Sequence, residues 1–291
     1  MADLQRRRQE NVEGDFYVDD TCIDCDTCRW MAPDVFDREG EMSRVHTQPS
    51  DREGRAKSFQ ALLSCPTTSI GTTEKTNTLR EITSTLPLPI EGPVHHCGFH
   101  SEASFGATPY LVLRERGNLL IDSPRFAGPL VKTIEKLGGV STLFLTHRDD
   151  VADHGKWAEH FSATRILHAD DVVPGTEDVE QKVTGEDPVS LDDEVLLLPT
   201  PGHTRGSMCL LFQDRYLFTG DHLAWSDRLQ QLYAFRRHCF HDWAVQQGAI
   251  EKLKQYSFEW VLPGHGRRQH IPAAEMPGAL DQCLQWMGTE S

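Results

Sequence analysis

Three cysteines, Cys22, Cys25 and Cys28, are crowded into the short segment DDTCIDCDTCRW with C-x2-C-x2-C spacing. A fourth, Cys65, stands directly before Pro66, far downstream. Three thiolates on one tight loop can hold three corners of an iron–sulfur cubane, and a remote Cys-Pro can close the fourth. Zinc is the alternative for four thiolates, but zinc sites usually separate two C-x2-C pairs. The spacing therefore favours an iron–sulfur cluster.

The segment around these cysteines resembles the single-cluster bacterial ferredoxins over residues 14–73. The likeness includes the apolar run APDVF after the cysteine loop and the helical pattern DREGRAKSFQALLS that leads to Cys65. Because Cys25 is a cysteine and not an aspartate, the resemblance implies one 4Fe-4S cluster instead of a three-iron cluster. Such a cluster would carry one electron at a time.

A second set of candidate ligands is spread over more than a hundred residues. Each lies in a short segment that follows an apolar run, and loops at strand ends can converge on one point while the sheets hold them rigid. The pattern predicts a metal site gathered from remote loops. The candidates are His147, Asp149, Asp153 and His154 in LTHRDDVADH, His203 in PTPGHTRGS, Asp221 in LFTGDHL and His265 in VLPGHG.

The elements that must position these residues are strands mixed with helices, which indicates α/β layers. A stretch rich in threonine, serine and proline marks a linker at residues 74–93. The predicted organisation is a disordered tail at 1–13, a small domain at 14–73, the linker, and a large domain at 94–291. Predicted strands include TPYLVLR, NLLIDS, STLFLTH, TRILHA, EVLLLPT, SMCLLFQ and RYLFTGD, and predicted helices include GPLVKTIEKLG, GKWAEHF and HDWAVQQGAIEKLKQY.

The large domain resembles the metallo-β-lactamase superfamily, because PGHTRGS, FTGD and PGHG occur in the family's order and spacing. The resemblance implies an α+β ferredoxin-like small domain followed by a four-layer αββα metallo-β-lactamase-fold sandwich. It also implies that His203 binds a first metal ion, that His265 binds a second, and that Asp221 bridges the two.

The family's first motif reads H-x-H-x-D-H, and this chain departs from it. By the resemblance, His147 matches the first histidine, and Asp153 and His154 match the closing pair with two extra residues between. Asp149 stands in the second-histidine slot, where a carboxylate favours iron or manganese over zinc. Without Asp149, the two histidines and the bridging aspartate of the first site form a triad typical of non-haem iron. We expect one or two metal ions, with iron favoured and zinc or manganese possible.

Helix capping is the alternative role for the acids of this motif. Asp150 is predicted to cap the helix that begins near Gly155, and for Asp149 the ligand and cap interpretations stay open. Asp153 is a catalytic candidate as a proton acceptor as well as a ligand. His100 is the other catalytic candidate, in the loop that the resemblance places over the metal site. His96 and Cys97 are assigned a role in supporting the ligands or in packing, and His222 is assigned to orient Asp221. For His238 and His241, helix capping is favoured over lining of a substrate pocket.

The charge excludes some classes of partner. The chain of 291 residues has 29 basic and 44 acidic residues, a formal charge of -15, which argues against nucleic acid and anionic membranes. The first residues lack the apolar core of a secretory signal, and no apolar run is long enough to span a membrane. We expect a soluble protein of a reducing compartment, cytoplasmic or plastid-stroma-like.

The presence of an iron–sulfur cluster and a second metal site in one chain favours functions that require electrons. Hydrolysis needs no electron, whereas reduction or oxygen activation at iron does, and covalent attachment raises the effective concentration of the electron donor. The leading hypothesis is an iron-dependent oxidoreductase that acts on a small molecule and takes electrons from an external ferredoxin reductase or ferredoxin. The alternatives are a hydrolase of ester, thioester or phosphate bonds with a regulatory or structural cluster, and an electron-transfer module without catalysis.

Overall fold

A computed structural model describes residues 2–74 and 78–289. The helices are α1 (Thr27–Met31), α2 (Arg52–Ser64), α3 (Thr78–Thr83), α4 (Gly128–Lys136), α5 (His154–Phe161), α6 (Trp243–Leu253) and α7 (Met276–Thr289). The strands are β1 (Phe16–Val18), β2 (Phe36–Glu39), β3 (Met42–Val45), β4 (Ile70–Thr72), β5 (Leu88–Glu91), β6 (Val94–His96), β7 (Tyr110–Val112), β8 (Leu119–Ile121), β9 (Thr142–Phe144), β10 (Thr164–His168), β11 (Gln181–Val183), β12 (Val189–Ser190), β13 (Val195–Pro199), β14 (Met208–Phe212), β15 (Tyr216–Gly220), β16 (Ala224–Ser226), β17 (Gln231–Tyr233), β18 (Trp260–Pro263) and β19 (Gln269–His270). Among the described helices, none is long and apolar enough to cross a bilayer.

The chain divides into two compact units. The first comprises Met1–Ser141 and Ala152–Ser162, and the second comprises Thr142–Val151 and Ala163–Ser291. The first unit therefore holds the cysteine segment together with β5 to β8, α4 and α5. The second holds β9 and all later strands, and with them most of the candidate metal ligands.

The cysteine segment is built on short elements around an aromatic core. Strand β1 pairs antiparallel with β4, and β2 forms a hairpin with β3. Phe16 of β1 packs edge-on against Phe59 of α2, with ring centroids 4.9 Å apart. The Asp51 side chain caps α2 by accepting from the Gly54 amide at 2.7 Å, and the helix ends immediately before Cys65. The predicted helix thus fixes the position of the fourth cysteine.

The predicted disordered tail is ordered over residues 2–13. Asp3 caps a 3-10 turn at Leu4–Arg6 by accepting from the Gln5 amide. The Asn11 side chain donates to the Val18 carbonyl at 2.8 Å and accepts from the Val18 amide at 3.0 Å. These polar side chains continue the hydrogen bonding of β1, which polar composition alone does not reveal. The predicted linker likewise contains α3 and β5.

The first unit also contains an antiparallel arrangement of four strands in the order β5-β6-β7-β8. Strands β7 and β8 are buried at every position, in keeping with their apolar sequences. The predicted helices at GPLVKTIEKLG and GKWAEHF are α4 and α5. Helix α5 begins at His154, one residue before the glycine at which the sequence predicts it.

The second unit contains two groups of strands. Strands β9, β10 and β11 pair in parallel, and β12-β13-β14-β15-β18-β19 form a sheet in that order. Strands β14 and β15 are buried along their whole length. Leu217 of β15, Ile250 of α6 and Leu280 of α7 belong to one hydrophobic core. Strands β15 and β18 are parallel, so their carboxyl ends lie at the same edge.

Candidate functional site

Four strand ends of the second unit supply the metal-ligand candidates. His147 follows β9, His203 follows β13, Asp221 follows β15 directly, and His265 follows β18. The Gly264 amide donates to the Gly220 carbonyl at 2.8 Å, which locks the ends of β15 and β18 together. The loops can therefore converge, as the sequence pattern predicts.

One oxygen of Asp221 lies at the centre of the cluster of ligands. Its Oδ2 is 3.9 Å from Nε2 of His147, 3.7 Å from Nε2 of His203 and 3.9 Å from Nε2 of His265. A single carboxylate oxygen that faces three imidazole nitrogens at such distances has the position required of a group shared by two metal ions. The predicted bridging role of Asp221 fits this geometry.

Two further carboxylates complete two adjacent groups of donors. Asp149 Oδ2 lies 3.9 Å from Nε2 of both His147 and His203. The Asp150 carboxylate lies 4.0 Å from Nε2 of His147 and 4.0 Å from Nε2 of His265. Within the described residues, His147, Asp149 and His203 form one potential metal-binding group, and His147, Asp150 and Asp221 form another. Each group combines imidazole with carboxylate.

The polarity of the site fits a divalent cation. Within the described residues, Nε2 of His147, Nε2 of His203 and Oδ1 of Asp221 are buried without a hydrogen-bond partner, a costly arrangement unless a ligand satisfies them. Burial lowers the pKa of His147 to about 3 and also lowers the pKa of His203, so both rings are neutral and offer lone pairs at neutral pH. Thr146 Oγ1 is 3.0 Å from Nδ1 of His147 and holds the ring with Nε2 toward the site.

The carboxylates of the site titrate differently. Burial raises the pKa of Asp149, although the neighbouring Arg148 opposes this shift. For Asp221 burial also acts to raise the pKa, but the surrounding histidines outweigh it, and the pKa lies below its usual value. Asp221 is therefore held as an anion between imidazoles, whereas the half-exposed Asp149 marks the solvent side of the site.

The structure departs from the prediction for the closing pair of the first motif. Asp150, predicted as a helix cap, lies among the metal-ligand candidates and is 1% exposed. Asp153, predicted as ligand and catalytic base, accepts instead from the Phe126 amide at 2.8 Å and from Lys156 Nζ at 2.6 Å. The positive φ of Ala152, 30°, turns the chain between the two aspartates. Hydrogen bonds to Asp153 outweigh its partial burial and lower its pKa.

Two predicted histidines are also placed differently. His154 is a buried first residue of α5 and belongs to neither group of donors found in the described residues. His100, the second catalytic candidate, is fully buried in the first unit, where its Nδ1 is 2.8 Å from the Gly106 carbonyl and its Nε2 is 2.6 Å from Nε2 of His96. Both ring nitrogens are thus engaged by protein groups. Cys97 beside them is fully buried, which raises the pKa of its thiol.

Asp171 is a functional residue that sequence reasoning missed. Its Oδ2 accepts from the Arg148 amide at 3.0 Å and from Thr204 Oγ1 at 2.6 Å, and its Oδ1 accepts from the Gly206 amide at 2.8 Å. The carboxylate therefore joins the loop of His147 to the loop of His203. The only signal in the sequence is an aspartate shortly after β10, which is common in turns.

The segment after β17 borders His203. The Phe240 amide donates to the His203 carbonyl at 2.8 Å, and the Phe240 ring stands edge-on to the imidazole with centroids 5.4 Å apart. The ring is 58% exposed and forms an apolar surface beside a candidate ligand. Helix α6 is capped by Asp242, which accepts from the Val245 amide, and not by His238 or His241 as predicted. His222 is buried, which lowers its pKa to about 3.

The four predicted cluster ligands, Cys22, Cys25, Cys28 and Cys65, line one small cavity in the first unit. The Ser43 amide donates to Cys22 Sγ at 3.4 Å, and the Ser69 amide donates to Cys65 Sγ at 3.3 Å. Burial raises the pKa of the Cys25 thiol to about 12 and raises the pKa of the other buried cysteines. Convergent sulfurs that receive amide hydrogen bonds fit an iron–sulfur cluster, which holds its ligands as thiolates.

Comparisons with known proteins agree with both halves of this description. Residues 18–72 match the family model of the 4Fe-4S single cluster domain of ferredoxin I. The DIM-1 metallo-β-lactamase is 19% identical, with 70% of this chain and 96% of that chain covered and a TM-score of 0.54. A metallo-β-lactamase from Pontibacter korlensis is 17% identical, with 69% and 97% covered and a TM-score of 0.52.

One curated protein is similar in sequence over part of this chain. The hydroxyacylglutathione hydrolase of Citrobacter koseri is 32% identical over 123 residues, which cover 39% of this chain and 46% of the relative. The match thus spans about half of the relative's length.

These similarities define the large domain as a metallo-β-lactamase fold, and the predicted fold class is confirmed. The chain thus combines a metallo-β-lactamase fold with a segment, residues 18–72, that matches a 4Fe-4S single cluster ferredoxin domain.

Proposed function

We propose that this protein is an oxidoreductase of the metallo-β-lactamase superfamily, with an iron centre that takes electrons through its own ferredoxin domain. The observation that carries the proposal is the composition of the candidate metal centre. Three carboxylates, Asp149, Asp150 and Asp221, accompany three histidines. Oxygen-rich sites favour iron or manganese over zinc when compared with all-imidazole sites.

Two positions for metal ions follow from the same geometry. His203 and Asp149 belong to one position, His265 and Asp150 belong to the other, and Asp221 faces both. When bound, the metal ions would supply open coordination positions for a small molecule, and the cluster would supply single electrons. The protein side chains hold the ligands in neutral or anionic form and leave the Asp149 side open to solvent.

The substrate side of the site has recognisable chemistry. Phe240 offers an exposed apolar ring next to His203. Arg205 and His241 line a neighbouring cavity of about 460 Å³ in the same unit. A small molecule with an apolar part and a polar part fits these surroundings. The reductant would be an external electron donor, such as a ferredoxin or a ferredoxin reductase, that reduces the cluster.

Hydrolysis is the second candidate function, because the curated relative is named a hydrolase. In that case the substrate would be a thioester or a related ester, and the cluster would have a regulatory or structural role. Asp153 is poorly placed to act as the proton acceptor, since Phe126 and Lys156 already occupy its carboxylate.

Metal and sulfide analysis of anaerobically purified protein tests the two candidates. About four sulfides, with iron in excess of the roughly four atoms of one cluster, support the oxidoreductase. About four irons with one or two zinc ions favour the hydrolase.

Activity of matched variants provides the second test. Cys28→Ser should abolish substrate reduction by an external reductant but leave thioester hydrolysis intact, whereas Asp150→Asn should impair either activity. Cys283→Ala, which changes a buried cysteine of α7, is the control for loss of a thiol. Thioester hydrolysis that persists at full rate in Cys28→Ser, without any reductant-dependent activity in the parent protein, contradicts the oxidoreductase.

A further inference from the structure

A buried pair of histidines in the first unit contacts the cysteine loop. His96 and His100 are both 0% exposed, and their Nε2 atoms are 2.6 Å apart. The Trp30 ring, from the helix that carries Cys28, packs against His96 with centroids 5.1 Å apart. The two histidines lie outside residues 18–72, so they are an addition to the matched ferredoxin domain.

The hydrogen bonds of His100 fix where its proton lies. Nδ1 is 2.8 Å from the Gly106 carbonyl, which can only accept, so Nδ1 must carry a hydrogen. The same nitrogen is 3.2 Å from Thr27 Oγ1, which therefore also faces an N–H donor. The Thr27 hydroxyl hydrogen is consequently directed away from His100. Between the two Nε2 atoms there is room for one proton only.

The Thr27 hydroxyl faces a candidate cluster ligand. Thr27 Oγ1 is 3.5 Å from Cys25 Sγ. A cysteine that binds iron has no thiol hydrogen, so the hydroxyl is the donor in this contact once the cluster is present. A hydrogen bond to a ligand sulfur stabilises the more negative, reduced cluster and raises its reduction potential.

The backbone of Gly106 lies close to the sulfur of Cys25. A Cβ on Gly106 would lie 2.8 Å from Cys25 Cβ and 3.2 Å from Cys25 Sγ, and φ is +86°, so a side chain is disfavoured on both grounds. Close backbone approach brings the carbonyl that fixes His100 next to the cysteine whose sulfur Thr27 faces. The loop after β6 is thereby in contact with the cluster site at Cys25.

We propose that His100 is a positioning residue of the iron–sulfur cluster, which holds the Thr27 hydroxyl toward Cys25 and raises the reduction potential of the cluster. His96 holds His100 through the second ring nitrogen. The proposal rests on the cluster, as the proposed function does, but not on the chemistry of the metal centre.

Redox titration of the cluster in the full-length protein, monitored by visible absorption and by electron paramagnetic resonance, tests this proposal. Thr27→Val and His100→Phe should each lower the equilibrium constant for reduction about tenfold, which corresponds to about 59 mV for one electron. Thr27→Ser retains the hydroxyl and should restore the parent potential. His95→Phe, which removes a neighbouring histidine of β6 and its hydrogen bond to the Pro93 carbonyl, is the matched control.

The double variant separates positioning from general damage. Because His100 acts through Thr27, Thr27→Val/His100→Phe should have the potential of Thr27→Val alone. Additive shifts, or shifts of both single variants no larger than that of His95→Phe, overturn the proposal. The potential is measured without turnover, so failure of the proposed oxidoreductase activity would leave this test unaffected.

Discussion

The carboxylate of Asp171 accepts a hydrogen bond from the hydroxyl of Thr204 at 2.6 Å, and both side chains are fully buried. The same carboxylate accepts from the Arg148 amide, next to His147, so one side chain orders two ligand loops. Substitution of a residue that orients metal ligands typically lowers the metal affinity by about 10- to 100-fold.

Asp171→Asn should therefore weaken metal binding in the second unit by about 10-fold or more. Asparagine has a single acceptor oxygen, so it cannot replace the hydrogen bonds that both carboxylate oxygens of Asp171 accept. The cluster spectrum should not change. Metal content after dialysis against a chelator series measures the effect. Asp170→Asn is the control, because Asp170 is adjacent in sequence and its carboxylate forms an ion pair with the exposed Arg205 at 3.3 Å. Equal metal loss in both variants would contradict the role of Asp171 in ordering the two ligand loops.

Asp150 and Asp153 should respond in opposite ways to substitution. Asp150→Asn should reduce the non-cluster metal content by about one ion per chain, because Asp150 is a buried carboxylate in one group of donors. Asp153→Ala should retain the metal and lose about 1 kcal/mol of stability, because the Phe126 amide loses its acceptor. Elemental analysis and denaturant unfolding distinguish the two variants. Metal loss in Asp153→Ala would show that Asp153 is a metal ligand, as the resemblance to the family motif implies.

The metal-free protein should lose stability as the pH falls below about 6.5. Burial lowers the folded-state pKa of His147 to about 3 from 6.5, so the unfolded state binds more protons between these values. Stability from the neutral ring is fully present above about 6.5 and declines as the pH approaches the folded-state pKa. Urea unfolding of chelator-treated protein at about pH 7 and pH 5.5 measures this dependence. His147→Asn should flatten it, and an unchanged slope in that variant would contradict the assignment.

Phe240→Ala should raise KM for the substrate several-fold with little change in metal content. The ring is exposed and contacts His203 without offering a ligand atom, so it is suited to contact an apolar part of the substrate. Steady-state kinetics, under whichever assay gives turnover, measures KM and kcat separately. Leu137→Ala, which truncates an exposed apolar side chain of the first unit, is the control. A drop in kcat with unchanged KM would assign Phe240 another role.

Sequence alone was sufficient for the features that local rules govern. The spacing of Cys22, Cys25 and Cys28 predicts a shared ligand loop, because three thiolates so close together have few other uses. Apolar runs that end in glycine, aspartate or histidine predict strand ends, and His203, Asp221 and His265 lie at such ends as expected. The fold class was implied by the resemblance of these motifs, in their order and spacing, to the metallo-β-lactamase superfamily.

Only the tertiary structure decided which side chains meet. In the turn after His147 no period governs side-chain direction, so Asp150 and Asp153 look alike in sequence, yet one faces the donors and the other binds Phe126. The contacts of Asp171 with Thr204 and of His100 with Thr27 join residues 33 and 73 positions apart. Such pairs depend on how whole elements pack, and packing is a property of the folded chain that local propensity does not encode.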